Sequence, residues 1–246
     1  MKRWIVLSCL LWGATLAQAS EIQPLALAQS VENDDLRAVQ KAIESGQATV
    51  DQMVAAVPYG SEGISILALA ARSGSVRVAE YLIKNKANLE RRTAANETAL
   101  MLAVYFDDSL YNGEGDFHKN DQIAKMLVDH GASFENGNFW TPLAYAGYKG
   151  RTAIAQYMLQ HGAPVNGPLL EGYAPYMNGL MMAARNGHKE FVRMILRFDA
   201  DPNISTREGV TAHLLAKRHR QTHLIGYIEC ALNLKKGEKY GDHCDL

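Results

Sequence analysis

Few residues in this chain have the types and spacing to do chemistry. His219 and His223 stand four apart, a separation that puts two imidazoles on one helical face in zinc sites. Asn112, Glu114 and Asp116 offer oxygen ligands at alternate positions of an acidic, glycine-containing stretch. Calcium takes oxygen ligands of this kind, but the register lacks the EF-hand order of ligands. Cys230 and Cys244 can pair. The sequence contains no GxSxG, no HExxH and no phosphate-binding glycine loop, so no catalytic residue is expected from the motifs that mark hydrolases, zinc proteases or nucleotide enzymes. Asn96-Glu97-Thr98 and Asn203-Ile204-Ser205 match the glycosylation sequon, which matters only in a eukaryotic host.

The N-terminus bears on where such chemistry would take place. Lys2 and Arg3 precede an apolar run from Trp4 to about Leu16, and Ala17-Gln18-Ala19 puts small residues where a signal peptidase inspects them. Residues 1–19 are therefore expected to be an export signal cleaved after Ala19. The run is shorter than the roughly 20 residues a membrane span needs, although an uncleaved anchor is the plain alternative. Cys9 lies inside the apolar run, too early for a lipoprotein cysteine. The formal net charge is −1, which loss of Lys2 and Arg3 would take to −3. Such a balance gives no long-range pull on phosphate backbones or anionic lipid, so neither nucleic acid nor a membrane surface is expected as partner. In an oxidising compartment Cys230 and Cys244 are expected to bond, stapling the tail to the last helix. Two free thiols are the alternative.

What must position any site is an internal repeat. SILALAA from Ser65, TALMLAV from Thr98, TPLAYAG from Thr141, NGLMMAA from Asn178 and TAHLLAK from Thr211 align, with starts 33, 43, 37 and 33 residues apart. Each is followed by a second helical pattern: VAEYLIKNKAN, IAKMLVDHGAS, IAQYMLQHGAP and FVRMILRFDAD. Ala70, Ala103, Ala146, Ala183 and Ala216 recur where adjacent helices must approach closely. Leu67, Leu100, Leu143 and Leu180 recur as a core face. Gly131 and Gly162 fall where a second helix ends and the backbone turns left-handed. His130 and His161 precede those glycines, where a helix C-terminus favours imidazole. His219 falls in a turn between two helices, so it and His223 do not share a face, and no metal is expected.

The TPLHxA-like openings and the helices ending in Gly-Ala closely resemble the ankyrin-repeat family over about 25–232. The resemblance implies an all-α solenoid of about six helix–turn–helix units over 20–232, with more polar end units near 25–50 and 211–232, and a polar tail at 233–246. One unit cannot bury its apolar face, so several must stack. It also implies binding rather than catalysis, with no cofactor, a protein partner and a monomeric chain. A compact signal with a lone array points to a Gram-negative periplasm. The resemblance to exported bacterial ankyrin proteins implies a protein-binding scaffold there, with an immunity or inhibitor partner of a toxin or effector as the expected role. An envelope stress or assembly factor, or a protein secreted onward to a host target, is the alternative.

The departures from regularity are where function is sought. An insertion occupies 107–118, between the two helices of the third unit, and the inter-repeat fingers at 47–64 and 166–178 are enlarged. A solvated loop grown at a tolerant site is the plain reading of the insertion. In the ankyrin family, partners usually contact residues just before the opening threonine and just before the inter-helix glycine. Carried onto this sequence, those are Asn138, Trp140, Tyr148 and Lys149 in the fourth unit, Glu97, Tyr105 and Phe106 in the third, and Met177, Arg185 and Asn186 in the fifth. Tyr173 and Tyr176 lie on the neighbouring finger. Aromatics and arginine are what binding hot spots favour. Packing beneath the insertion and fingers is the other reading, for Phe106 and Phe139 above all.

Overall fold

The computed structural model describes residues 24–56, 60–106, 118–135, 140–172 and 174–244. The five aligned segment starts all turn out to be helix N-caps. Ser65, Thr98, Thr141, Asn178 and Thr211 each accept a hydrogen bond from the backbone N–H three residues on, at 3.0–3.4 Å. A side-chain oxygen there satisfies a donor the helix itself leaves unpaired. The repeat is thus written in capping chemistry as much as in hydrophobic pattern.

Among the described residues the helices pair six times. The pairs are α1 (Pro24–Glu32) with α2 (Leu36–Glu44), α3 (Ile66–Ser73) with α4 (Val76–Lys84), and α5 (Ala99–Tyr105) with α6 (His118–Asp129). They continue as α7 (Pro142–Lys149) with α8 (Thr152–Gln160), α9 (Gly179–Asn186) with α10 (Lys189–Arg197), and α11 (Ala212–Arg218) with α12 (Thr222–Leu232). First helices stack on first helices and second on second, giving two layers with the core between them. Leu67, Leu100, Leu143 and Leu180 are buried there, and the five alanines from Ala70 to Ala216 show no exposed surface. Gly147 shows why that layer needs small residues: a Cβ on it would lie 2.3 Å from the carbonyl oxygen of Gly179.

At every interface a polar side chain at the start of the second helix bonds a carbonyl at the end of the first helix of the preceding unit. Ser75 donates to the carbonyl of Glu32, Asn120 to that of Ala71 and Gln221 to that of Arg185, while His188 meets the carbonyl of Tyr148. Arg151 does the most, donating to the carbonyls of Ala103 (2.7 Å) and Val104 (2.6 Å) and pairing with Asp121. These are the carbonyls a short helix leaves without partners at its C-terminal end.

Three features lie outside the plain helix–turn–helix scheme. The first finger is an antiparallel hairpin of β1 (Met53–Ala56) and β2 (Gly60–Ser65), pairing Met53 with Ser65 and Val54 with Ile64. Gly131 and Gly162 take positive φ (84° and 92°), whereas Lys86 (63°) and Asp199 (61°) hold the same turn after α4 and α10 without glycine. After the last pair, α13 (Tyr240–His243) packs against α10 and α12. It buries Tyr240 and is joined to α12 by the Cys230–Cys244 disulfide.

Candidate partner-binding surface

The first helices of the four central units (α3, α5, α7 and α9) are almost wholly buried, and they reach solvent mainly at their C-terminal ends. The N-cap fixes where each helix begins, so the residues seven and eight positions later are presented at matching points of successive units. In the third and fourth units those positions hold Tyr105 and Phe106, then Tyr148 and Lys149. All four are half-buried.

They assemble into one aromatic cluster with Trp140 and Tyr145. Tyr105 meets Phe106 edge-on at 4.9 Å between ring centroids and Tyr145 at 5.3 Å, and stacks on Tyr148 at 6.0 Å. Trp140, two residues before α7 begins, reaches Tyr145 at 5.4 Å and Tyr148 at 6.2 Å. Cations close the edges: the Lys149 ammonium lies 4.8 Å from the Tyr105 centroid and the Arg72 guanidinium 5.3 Å from that of Phe106. Each such contact contributes on the order of 0.5–1 kcal/mol at an exposed site. Glu97 accepts from the Tyr145 hydroxyl at 3.3 Å and the Thr93 hydroxyl at 3.3 Å. Burial raises the Tyr105 phenol above its ordinary pKa, helped by Tyr148 and Glu97.

Of the residues expected at a contact face, the structure brings Glu97, Tyr105, Phe106, Trp140, Tyr148 and Lys149 together. Tyr145 and Arg72 complete the cluster. In the sequence Tyr145 is part of a repeat segment and Arg72 follows one, at the same register as Tyr105. Asn186 turns its amide to the carbonyl of Tyr148 (2.8 Å), and Met177 packs against the core. Arg185 is half-buried at the end of α9. Asn138, Tyr173 and Phe139, and with them the insertion at 107–117, lie outside the described residues.

The enlarged finger before α9 is pinned by Ala174, which is buried and donates to the carbonyl of Ser205 at 2.9 Å. Asn166 accepts from the backbone N–H of Asp201. From this anchor the finger presents Leu169, Leu170 and Tyr176, which are 49%, 48% and 41% exposed. Tyr176 and Met177 line a small pocket with Thr141, the residue after Trp140 in sequence.

Asn112, Glu114 and Asp116 lie outside the described residues. Among the described residues no group of three or more His, Cys, Asp or Glu side chains could hold an ion. His219 caps the end of α11 while His223 lies in α12 and meets the carbonyl of Gly187. His130 and His161 each turn Nδ1 to the carbonyl four residues back, at 2.7 and 2.8 Å. No helix of the described residues is long and apolar enough to cross a membrane.

Family models for ankyrin repeats match the sequence twice, a three-copy model over residues 26–112 and a single repeat over 177–207. The fold is an ankyrin-repeat solenoid. It is similar to the crystal structure of an ankyrin repeat domain from Acinetobacter baumannii, with a TM-score of 0.64 and 20% identity, covering 85% of this chain and 98% of that one. At that identity the likeness speaks for the fold alone. Ankyrin repeats are general scaffolds for protein–protein interaction. Between the two matched stretches lie the end of the insertion, the aromatic cluster's Trp140, Tyr145 and Tyr148, and most of the enlarged finger.

Proposed function

We propose that this ankyrin-repeat protein is a non-enzymatic binding scaffold of the bacterial periplasm that holds one protein partner against the ends of its first helices. The aromatic cluster of Tyr105, Phe106, Trp140, Tyr145 and Tyr148 carries this reading. Rings held against each other and against Lys149 and Arg72 offer large contact area with little side-chain freedom left to lose on binding. Leu169, Leu170 and Tyr176 extend the apolar area along the finger. The Cys230–Cys244 bond supports an oxidising compartment, in keeping with an N-terminal export signal. A rigid surface of this kind suits a protective role, in which the scaffold occupies and silences a toxin or effector arriving in the periplasm.

The test is capture from the envelope fraction with tagged residues 20–246, against a Trp140→Ala/Tyr148→Ala control. One stoichiometric partner that is lost in the control supports the reading, and that partner's activity with and without the scaffold decides whether it is inhibited. A partner retained by the control overturns the assignment of this face. No partner at all points to a ligand that the producing cell does not make.

A further inference from the structure

Reading the five capped first helices in register reveals a column that no single repeat shows. Seven residues after each N-cap stand Arg72, Tyr105, Tyr148, Arg185 and Arg218. The Tyr105 and Tyr148 rings, from adjacent units, lie 6.0 Å apart and only 19° from parallel. This step shows two successive positions of the column side by side, and the shared register sets the others at the same point of their helices. Arg185 and Arg218 continue it toward the C-terminal units, with Lys149 and Lys217 beside them. Among the described residues, Lys149, Arg185, Lys217 and Arg218 make no ion pair. Nearby Glu97 is engaged by Tyr145 and Thr93, and Glu229 by His213.

A cation near a helix C-terminus is favoured by that helix's dipole, which favours a basic residue at the end of each first helix, and the repeat register sets those ends at matching points of successive units. The chain as a whole is close to neutral, so this positive stripe reflects where charge is placed.

We propose that the partner presents an acidic segment to this column, its apolar residues over Tyr105 and Tyr148 and its carboxylates over Lys149, Arg185 and Arg218. The proposal rests on the scaffold reading above and adds the chemistry of the partner. Guanidinium groups present forked donors that match carboxylates. Packed helices lie about 8–10 Å apart, so the three steps from Tyr105 to Arg218 span roughly 27 Å. An extended chain rises about 3.3 Å per residue, so about eight residues cover that span, apolar at one end and acidic at the other. The near-neutral chain gives duplex nucleic acid no comparable long-range attraction.

Trp140 makes the test direct, because Trp4 and Trp12 fall outside residues 20–246 and leave it the sole tryptophan there. These residues contain all six helix pairs. Trp140 fluorescence is followed while adding a glutamate–tyrosine copolymer, a lysine–tyrosine copolymer or duplex DNA. The acidic copolymer is expected to bind at least tenfold tighter than either alternative. Binding should weaken with salt and fall at least tenfold in Arg185→Glu/Arg218→Glu, with an unchanged melting curve confirming the fold. Lys149→Gln, a milder change, should weaken it less. Equal affinity for the two copolymers, no binding, or undiminished binding by the charge-reversed variant overturns the proposal. DNA binding as tight as the acidic copolymer's also overturns it, by showing a general anion surface. The envelope capture separates the two readings. A partner lost from Trp140→Ala/Tyr148→Ala but kept by Arg185→Glu/Arg218→Glu leaves the scaffold standing and removes the acidic assignment.

Discussion

Tyr105 and Tyr148 stack ring over ring at 6.0 Å although a whole repeat and an insertion separate them in the chain. Neither ring could be placed there by its own helix alone. The contact requires that Thr98 and Thr141 cap their helices in the same way and that small residues let α5 and α7 lie side by side. The aromatic area of this surface is thus a product of repeat register.

Replacing Trp140 and Tyr148 together by alanine is expected to weaken partner binding by at least about 2 kcal/mol, roughly a thirtyfold rise in Kd. Both side chains are only half-buried and the core alanines behind them are untouched, so the melting temperature should move little. Calorimetric titration of the captured partner alongside a thermal melt distinguishes the two effects. A collapse in stability would place these rings in the core.

Arg151→Ala should be among the most damaging single changes. The guanidinium is buried and serves the carbonyls of Ala103 and Val104 as well as Asp121. Removing it strands a carboxylate and two carbonyls at once, a loss on the order of 3 kcal/mol. Urea unfolding should show that loss, with Asp121→Asn costing less because the carbonyl bonds survive. Comparable stability of both variants would mean the ion pair carries the effect.

How much of this was legible in the sequence follows from the range of each interaction. Ser65, Thr98, Thr141, Asn178 and Thr211 act on backbone three residues away, so their alignment discloses five of the six helix pairs directly, while the first pair shows only as a more polar echo near 25–50. The recurrent alanines did the same for the close-packed layer. Trp140, Tyr148 and Lys149 could be placed near one another by register and resemblance. Arg151 could not be singled out, because its partners lie 30 residues or more away and its place has Ser75, His188 or Gln221 in other interfaces. Tyr240 was hidden for a similar reason. It sits among Lys, Gly, Glu and Asp in a tail that reads as polar, yet it is buried because the disulfide returns that tail to the last helices.

The closest approach of the first-helix layer predicts opposite outcomes for two glycines. Gly147→Ala would drive a Cβ to within 2.3 Å of the Gly179 carbonyl oxygen, and separating α7 from α9 should cost about 1–3 kcal/mol. Gly226 in α12 has nothing within 4 Å of the added Cβ, so Gly226→Ala should stabilise by roughly 0.5–1 kcal/mol through helix propensity. Paired denaturation curves test both. A neutral Gly147→Ala would show that the two helices separate freely.

The Cys230–Cys244 staple should show itself only under oxidising conditions. The cysteines are 14 residues apart, and closing a loop of that size contributes about 3 kcal/mol by the chain-entropy estimate. The loop carries α13, which packs against the second helices of the last two repeats and buries Tyr240. In a solenoid each unit leans only on its neighbours, so the loss should fall first on α11 and α12, which lack a following repeat. Cys230→Ser is therefore expected to lower the melting temperature relative to the oxidised chain and to match it once reductant is present. Hydrogen exchange should locate the loosening in α12 and α13, with α3 to α7 unaffected. Two titratable thiols in protein purified from the periplasm, or identical melting curves in oxidant, would remove the staple and leave the tail's docking to Tyr240 alone.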